Sequence, residues 1–436
     1  MRFYSHSLDF LPALHITFLL SKIKYIIIIL HLYFINYGDI TMKKSLFFYN
    51  TIYQEILKSS VNHNMSNITW VPTNTVSDAI DYIKKNIYFF TSDNVRIYLM
   101  ISSLNTKTTI RQILSVLNIK SSQILDIYQL YMHKLPTLHY ERIIGNCTQP
   151  LDGIIFGISH VQTGIVEESL PGNVLNFCSS SQDIYFNTKI LSALAEEYYD
   201  FICNAKYVIF DMFDYTYFNY DVLLSNELLN YLGFNGFFCE NRNSNNKKID
   251  VNYINQLLTD TFSLCCNSSA QEEFTSIFPD IHCPNITEYQ IEYKKIFRQN
   301  KILDDYSIST YMLPNSLVFS SIQRHIFEPT IQFQVANLDH FCRLLFRLNP
   351  DIQIIGVLLP KYYIVEENEK IVNQIWKPHF ENIISSFQQK YTNFSFFDFK
   401  NLTSISKKQE YYRDLSHLNC NGAHHMTEII SSLISI

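Results

Sequence analysis

The sequence predicts an α/β protein in which a doubly wound parallel sheet of five strands is flanked by helices and preceded by a smaller α/β module. Three observations point there. Short runs of aliphatic, β-branched and aromatic residues lack the alternation of a half-exposed sheet, as expected of parallel strands buried on both faces. Between them lie longer stretches with apolar residues at three- and four-residue intervals, the spacing of one helix face. Hydrophobic residues make up 47% of the chain and charged ones 17%, which supplies enough apolar surface for a large core.

Residues 1–41 form a hydrophobic leader. Its apolar runs at 11–20 and 25–35, separated by Lys22 and Lys24, are each shorter than the ~20 residues that span a bilayer. Together they read as an anchor. Met42-Lys43-Lys44 has the character of a natural start, so the leader is otherwise translated upstream sequence of an AT-rich region, a bias that also fits the scarcity of Gly (10 residues) and the many Tyr and Phe. Residues 42–148 form the small module, with a strand at 96–101, a helix at 108–117 and a strand-like run at 123–128, a β-α-β rhythm. This rhythm resembles part of a degenerate Rossmann-like unit. No Gly-x-Gly-x-x-Gly occurs, so the backbone lacks the close approach to a pyrophosphate and no dinucleotide cofactor is expected.

Residues 149–436 form the main domain. Strands are predicted at 153–157, 173–177, 206–210, 352–359 and 394–399, with helices at 189–204, 335–348, 369–391 and 422–434. Asn- and Ser-rich loops between about 223 and 330 mark a helical insertion.

With 34 Lys+Arg against 40 Asp+Glu, net charge −6, and basic residues scattered rather than striped, nucleic acid is excluded as a partner. The nine cysteines include no Cys-x-x-Cys pair, so neither a zinc site nor a disulfide framework is expected. Reduced thiols buried as small apolar groups fit a cytoplasmic protein. The alternative is membrane association through residues 11–35. His160, His424 and His425 suggest no metal centre, since neighbours on a helix point apart.

The chemistry gathers at Ser159. The strand ending in Phe156-Gly157-Ile158-Ser159 sets a hydroxyl at the carboxyl edge of the sheet, where such folds bind ligands. A serine needs a general base, and the base an orienting acceptor. Asp414-Leu415-Ser416-His417, ahead of the last helix, supplies both: a turn lets Asp414 hold Nδ1 of His417 while Nε2 faces the serine. The plain alternatives are a turn serine, a capping histidine and a turn aspartate.

These blocks resemble those of the SGNH (GDSL-like) hydrolases. Phe156-Gly157-Ile158-Ser159 is similar to the first block, and Asp414-Leu415-Ser416-His417-Leu418-Asn419, with Gly422-Ala423, to the last. Asn176 to Ser181 stands where the second block lies, with Ser181 at the place of a glycine whose N–H serves the oxyanion hole. The third block departs: Asp211-Met212-Phe213-Asp214-Tyr215 sets Tyr215 near the usual Asn donor. The resemblance implies a flavodoxin-like sheet, Ser159, His417 and Asp414 as catalytic residues, and Ser159, Ser181 and Tyr215 as oxyanion donors. It implies an ester hydrolase or O-acyltransferase acting without cofactor on a small-molecule or glycan ester, as in bacterial cell-envelope members of the family. The rival is a catalytically silent binding or scaffold protein of glycan assembly.

Overall fold

The side chains of Thr75, Ser103, Asp183, Asn267 and Asn419 cap the starts of helices, and buried apolar runs make strands between them. The structure, a computed structural model, describes residues 44–54, 57, 68–91, 95–132, 139–222, 251–279, 286–311 and 325–434. The expected leader, residues 1–41, lies outside the described residues. The chain divides into two compact units, residues 1–136 with 260–283, and residues 137–259 with 284–436.

The first unit holds β1 (Lys44–Tyr49), β2 (Ile68–Pro72), α1 (Val76–Lys85), β3 (Val95–Met100), α2 (Leu104–Val116) and the two-residue β4 (Ile124–Leu125). Its strands are all parallel, in the order β2-β1-β3-β4. Thr75 starts α1 with a capping box: its hydroxyl accepts the N–H of Asp78 while Asp78 accepts the N–H of Thr75. The apolar run expected as a strand over 123–128 is cut short by Asp126, whose Oδ1 accepts the N–H of Gln129 and opens the helix Ile127–Met132. The helix Ser268–Ile277 belongs to this unit, although its place in the sequence assigned it to the insertion. Its Phe274 and Ile277 pack with Phe47 and Tyr98, and Glu273 accepts hydrogen bonds from Arg96 Nε (2.8 Å) and Tyr98 Oη (2.9 Å).

The second unit holds β5 (Gly153–Phe156), α3 (Ser159–Gly164), β6 (Val174–Asn176), α4 (Ile184–Glu197), β7 (Tyr207–Asp211), α5 (Glu328–Leu348), β8 (Gln353–Leu358), α6 (Tyr363–Lys390), β9 (Phe394–Asp398) and α7 (Cys420–Ser431). Its boundary falls at 136/137 rather than at 148/149, because the helix His139–Ile144 buries Tyr140, Ile143 and Ile144 in the second core. The five strands are parallel in the order β6-β5-β7-β8-β9, so the winding reverses between β5 and β7. Alternate residues feed two cores. Ile154, Phe156, Val208 and Phe210 face α4, α5 and α6, whereas Ile155, Ile209, Ile355 and Val357 face α3 and α7. The insertion is helical where described, with Val251–Cys265, Ile286–Phe297 and Asp305–Tyr311; residues 223–250, 280–285 and 312–324 lie outside the described residues. Among the described residues, seven cysteines are free thiols, and no helix is long and apolar enough to cross a membrane.

Candidate functional site

Beyond β5 the chain turns sharply at Gly157, whose φ of +143° L side chains rarely adopt. A Cβ there would lie 2.1 Å from Cβ of Asp211, so only glycine fits between the ends of β5 and β7. Asp211 then builds the turn. Its carboxylate accepts the N–H of Val161 at 3.0 Å and of Phe213 at 2.8 Å, and also bonds the backbone of Ile158. Burial pushes its carboxyl up to about 7 against the pull of those three N–H groups. This clamp fixes the first turn of α3 and with it Ser159, a half-buried residue.

The partner loop is shaped by its own carboxylate. Asp414 Oδ1 accepts the N–H groups of Ser416 and His417, each at 2.9 Å, and a bridge between Tyr412 and Leu418 closes the loop. Asn419 caps α7 by accepting the N–H of Gly422 at 3.1 Å and anchors the loop by donating to the Glu410 carbonyl at 2.7 Å. His417 Nδ1 lies 2.9 and 3.0 Å from the two Asp414 oxygens, and Nε2 lies 2.9 Å from Ser159 Oγ. Burial opposes the ionisation of Asp414, but the His417 ring and the two N–H groups hold it at about 2. An ionised carboxylate only accepts, so Nδ1 carries the proton and Nε2 is left to accept from the serine hydroxyl. A proton can thus pass from Ser159 to His417 without a change of ring orientation.

The structure brings Ser159, His417 and Asp414 together. Ser181 follows β6 at the same edge of the sheet, with a φ of +63°, a left-handed conformation that favours glycine. Ser159 opens α3, so its N–H has no partner within the helix. Neither that N–H nor that of Ser181 has an acceptor in a turn or loop among the described residues. Tyr215 is not brought to this group. It donates its phenol proton to Asp398 Oδ2 at 2.5 Å, at the end of β9, three strands away from β5. Burial, and then Asp398, hold the phenol protonated, and the ring packs on Phe380.

His160 was not expected here. Its buried ring is sandwiched between His417 (centroids 5.0 Å apart, 25° between planes) and Phe213 (5.1 Å, 20°). Nδ1 has no hydrogen-bond partner among the described residues. Burial, then the proximity of His417 and Lys361, hold the ring neutral. Lys361 lies over the Phe213 ring at 5.6 Å and is bound to Asp214, which also accepts from Lys400 at 2.6 Å. Burial disfavours the Asp214 charge, but the two lysines hold it ionised. Sequence reasoning missed the roles of Asp211, His160 and this ion network because each acts through tertiary neighbours. Among the described residues, His424 and His425 join no group of His, Cys, Asp or Glu that could hold a metal.

No protein-family model matches the chain, and no curated protein is significantly similar to it.

Proposed function

We propose that the second unit is an SGNH-type serine ester hydrolase or O-acyltransferase acting on an acylated carbohydrate. The observation that carries this reading is the unbroken line Ser159 Oγ–His417 Nε2, 2.9 Å, and His417 Nδ1–Asp414 Oδ1, 2.9 Å. In the reading, His417 takes the hydroxyl proton as Ser159 Oγ attacks the acyl carbonyl, and Asp414 stabilises the imidazolium. The backbone N–H groups of Ser159 and Ser181 receive the oxyanion. The carbonyl re-forms as the alcohol leaves with the proton of His417. Water or a sugar hydroxyl, deprotonated by His417, then releases the acyl group from Ser159.

One observation favours the rival reading of a silent scaffold: with Tyr215 bound to Asp398, the third oxyanion donor is missing. Loss of one donor costs ~10²–10³ in rate, which leaves a slow enzyme rather than none. The test is hydrolysis of p-nitrophenyl acetate by the full chain and its Ser159→Ala variant, together with labelling by a fluorophosphonate. Activity lost with the serine, and a label on Ser159, are expected. Equal hydrolysis by both proteins, or no label on Ser159, overturns the reading in favour of the scaffold.

A further inference from the structure

Tyr215 and the buried Lys400 line a second place on the same sheet edge. A cleft of about 540 Å³ opens beyond the carboxyl ends of β8 and β9, between the first two thirds of α6 and residues 400–407. This volume falls within the ~300–1,000 Å³ of small-molecule sites, and the outer edge of strand ends is where open α/β sheets bind ligands. Tyr215, Glu366 and Lys400 form its base. Lys400 is almost wholly buried, 4.7 Å over the Tyr215 ring, and ties Asp214 to the base, while Glu366 lies 3.2 Å away.

A base of this kind is costly to build. Burying charges carries a desolvation penalty that ion pairing only partly offsets, and apolar side chains of the same size would serve packing as well or better. Burial pushes the Glu366 carboxyl up to about 7, with Lys400 opposing, so near neutrality this group exchanges between donor and acceptor. Oε1 sits close to Lys400 yet makes no hydrogen bond of good geometry among the described residues. The base is therefore polar, rigid and incompletely satisfied.

The walls narrow the class of ligand. Asn373 and Gln374 on α6 face the cleft opposite Asn401 and Thr403, so amide and hydroxyl groups that both donate and accept line either side. Four lysines and three glutamates line the whole, a net charge near +1 spread over both signs, which suits neither a polyanion nor a cation. Apolar surface makes up the larger part of the lining, with Tyr215, Tyr363 and Pro378 among its residues, and lies interleaved with these polar groups, which suits a sugar ring that presents C–H faces beside its hydroxyls. We propose that this cleft binds a neutral saccharide of mono- to disaccharide size, its hydroxyls paired with Asn373, Gln374 and Asn401. The site is independent of acyl chemistry at Ser159.

The test is saturation-transfer NMR on the full chain with maltose, cellobiose and N,N′-diacetylchitobiose, against glucuronate, glucose 6-phosphate and decanoate. At least one neutral disaccharide should bind at or below about 10 mM. The double variant Asn373→Ala/Gln374→Ala should bind that sugar at least ~10-fold more weakly, the loss expected for two hydrogen bonds. Binding of only the charged or apolar probes overturns the proposal, as does binding of none, or a neutral sugar bound equally by the variant. Because the readout is binding without any ester present, failure here leaves the Ser159 reading standing, and failure of that reading leaves this one.

Discussion

Replacing Gly157 by Ala tests whether the turn that presents Ser159 is fixed by backbone geometry. Two costs follow from the structure. The φ of +143° is unfavourable for any L side chain by ~1–3 kcal/mol. The new Cβ would lie 2.1 Å from the Asp211 Cβ and 3.0 Å from its Cα and N, where ordinary carbon contacts are ~3.5–4.0 Å. Relief by moving β5 from β7 is blocked because Phe156 pairs with Phe210 in the parallel ladder, so overpacking adds ~1–3 kcal/mol. Together they amount to about 4 kcal/mol, a large share of the ~5–15 kcal/mol that holds a domain. Urea unfolding read by Trp376, buried on α6, in a Trp70→Phe background reports the second unit alone. The midpoint should fall by roughly 1–2 M. Gly356→Ala is the control: its Cβ meets only the flexible tip of Met212 at 3.1 Å and two ring carbons at 3.4 Å, so the midpoint should move far less. If Gly157→Ala unfolds within error of Gly356→Ala, the reasoning is refuted.

Two further outcomes follow from the site and its surroundings. His160→Phe keeps a flat ring between Phe213 and His417 and loses no hydrogen bond at Nδ1, so ester hydrolysis should stay within a few-fold of the parent. His160→Ala frees the His417 ring to tilt from Ser159, and kcat should fall by ~10²-fold with KM little changed; a full rate in His160→Ala would show that the stack does not position the base. For Glu366, the folded carboxyl keeps its proton to about 7 while the unfolded one ionises near its ordinary value of 4.5, so its burial subtracts stability progressively between those values and constantly above them. Glu366→Gln should therefore gain on the parent as pH rises from 4.5 to about 7 and hold that gain to pH 8, measured as the difference in urea midpoints; comparing the two proteins cancels the opposite trend from the buried neutral His139 and His160. A variant that loses ground over that interval would show the carboxyl to be ionised throughout.

Much of the second sheet was legible because its strands are short runs dominated by aliphatic and aromatic residues: 153–157, 206–210 and 394–399 differ from the observed strands by a residue at one or both ends. Helix starts were less legible. The helix expected at 335–348 begins at Glu328, just before Pro329, with no side-chain cap, and that expected at 369–391 begins at Tyr363, so neither carries the Ser, Thr, Asp or Asn signal that marks an N-terminus. In the first unit β1 and β2 went unread, and the return of Ser268–Ile277 to that unit depends on contacts with residues more than 150 positions away, such as Arg96 with Glu273. At the Ser159 site, the local blocks could be read because each side chain is oriented by near neighbours: Gly157 for the serine, Asp414 for His417. Asp211 and His160 could not, since the clamp needs β5 beside β7 and the stack needs a ring 257 positions on.

Tyr215 shows why a motif position does not settle a side chain's direction. Phe213 takes a φ of +56°, a left-handed residue that redirects the chain directly after β7. Asp214 is then drawn in between Lys361 and Lys400, at the ends of β8 and β9, and Tyr215 follows it toward Asp398. Lys361 also pairs with Glu369 and Lys400 with Glu366, but Asp214 is the carboxylate that the two buried ammonium groups share, and withdrawing it costs more than one hydrogen bond from a phenol to an oxyanion returns in the folded ground state. The turn after β7 is thus shaped by the ion network beneath the second cleft as well as by the Asp211 clamp, and Phe213 touches both places, with His160 on one face of its ring and Lys361 near it at 5.6 Å.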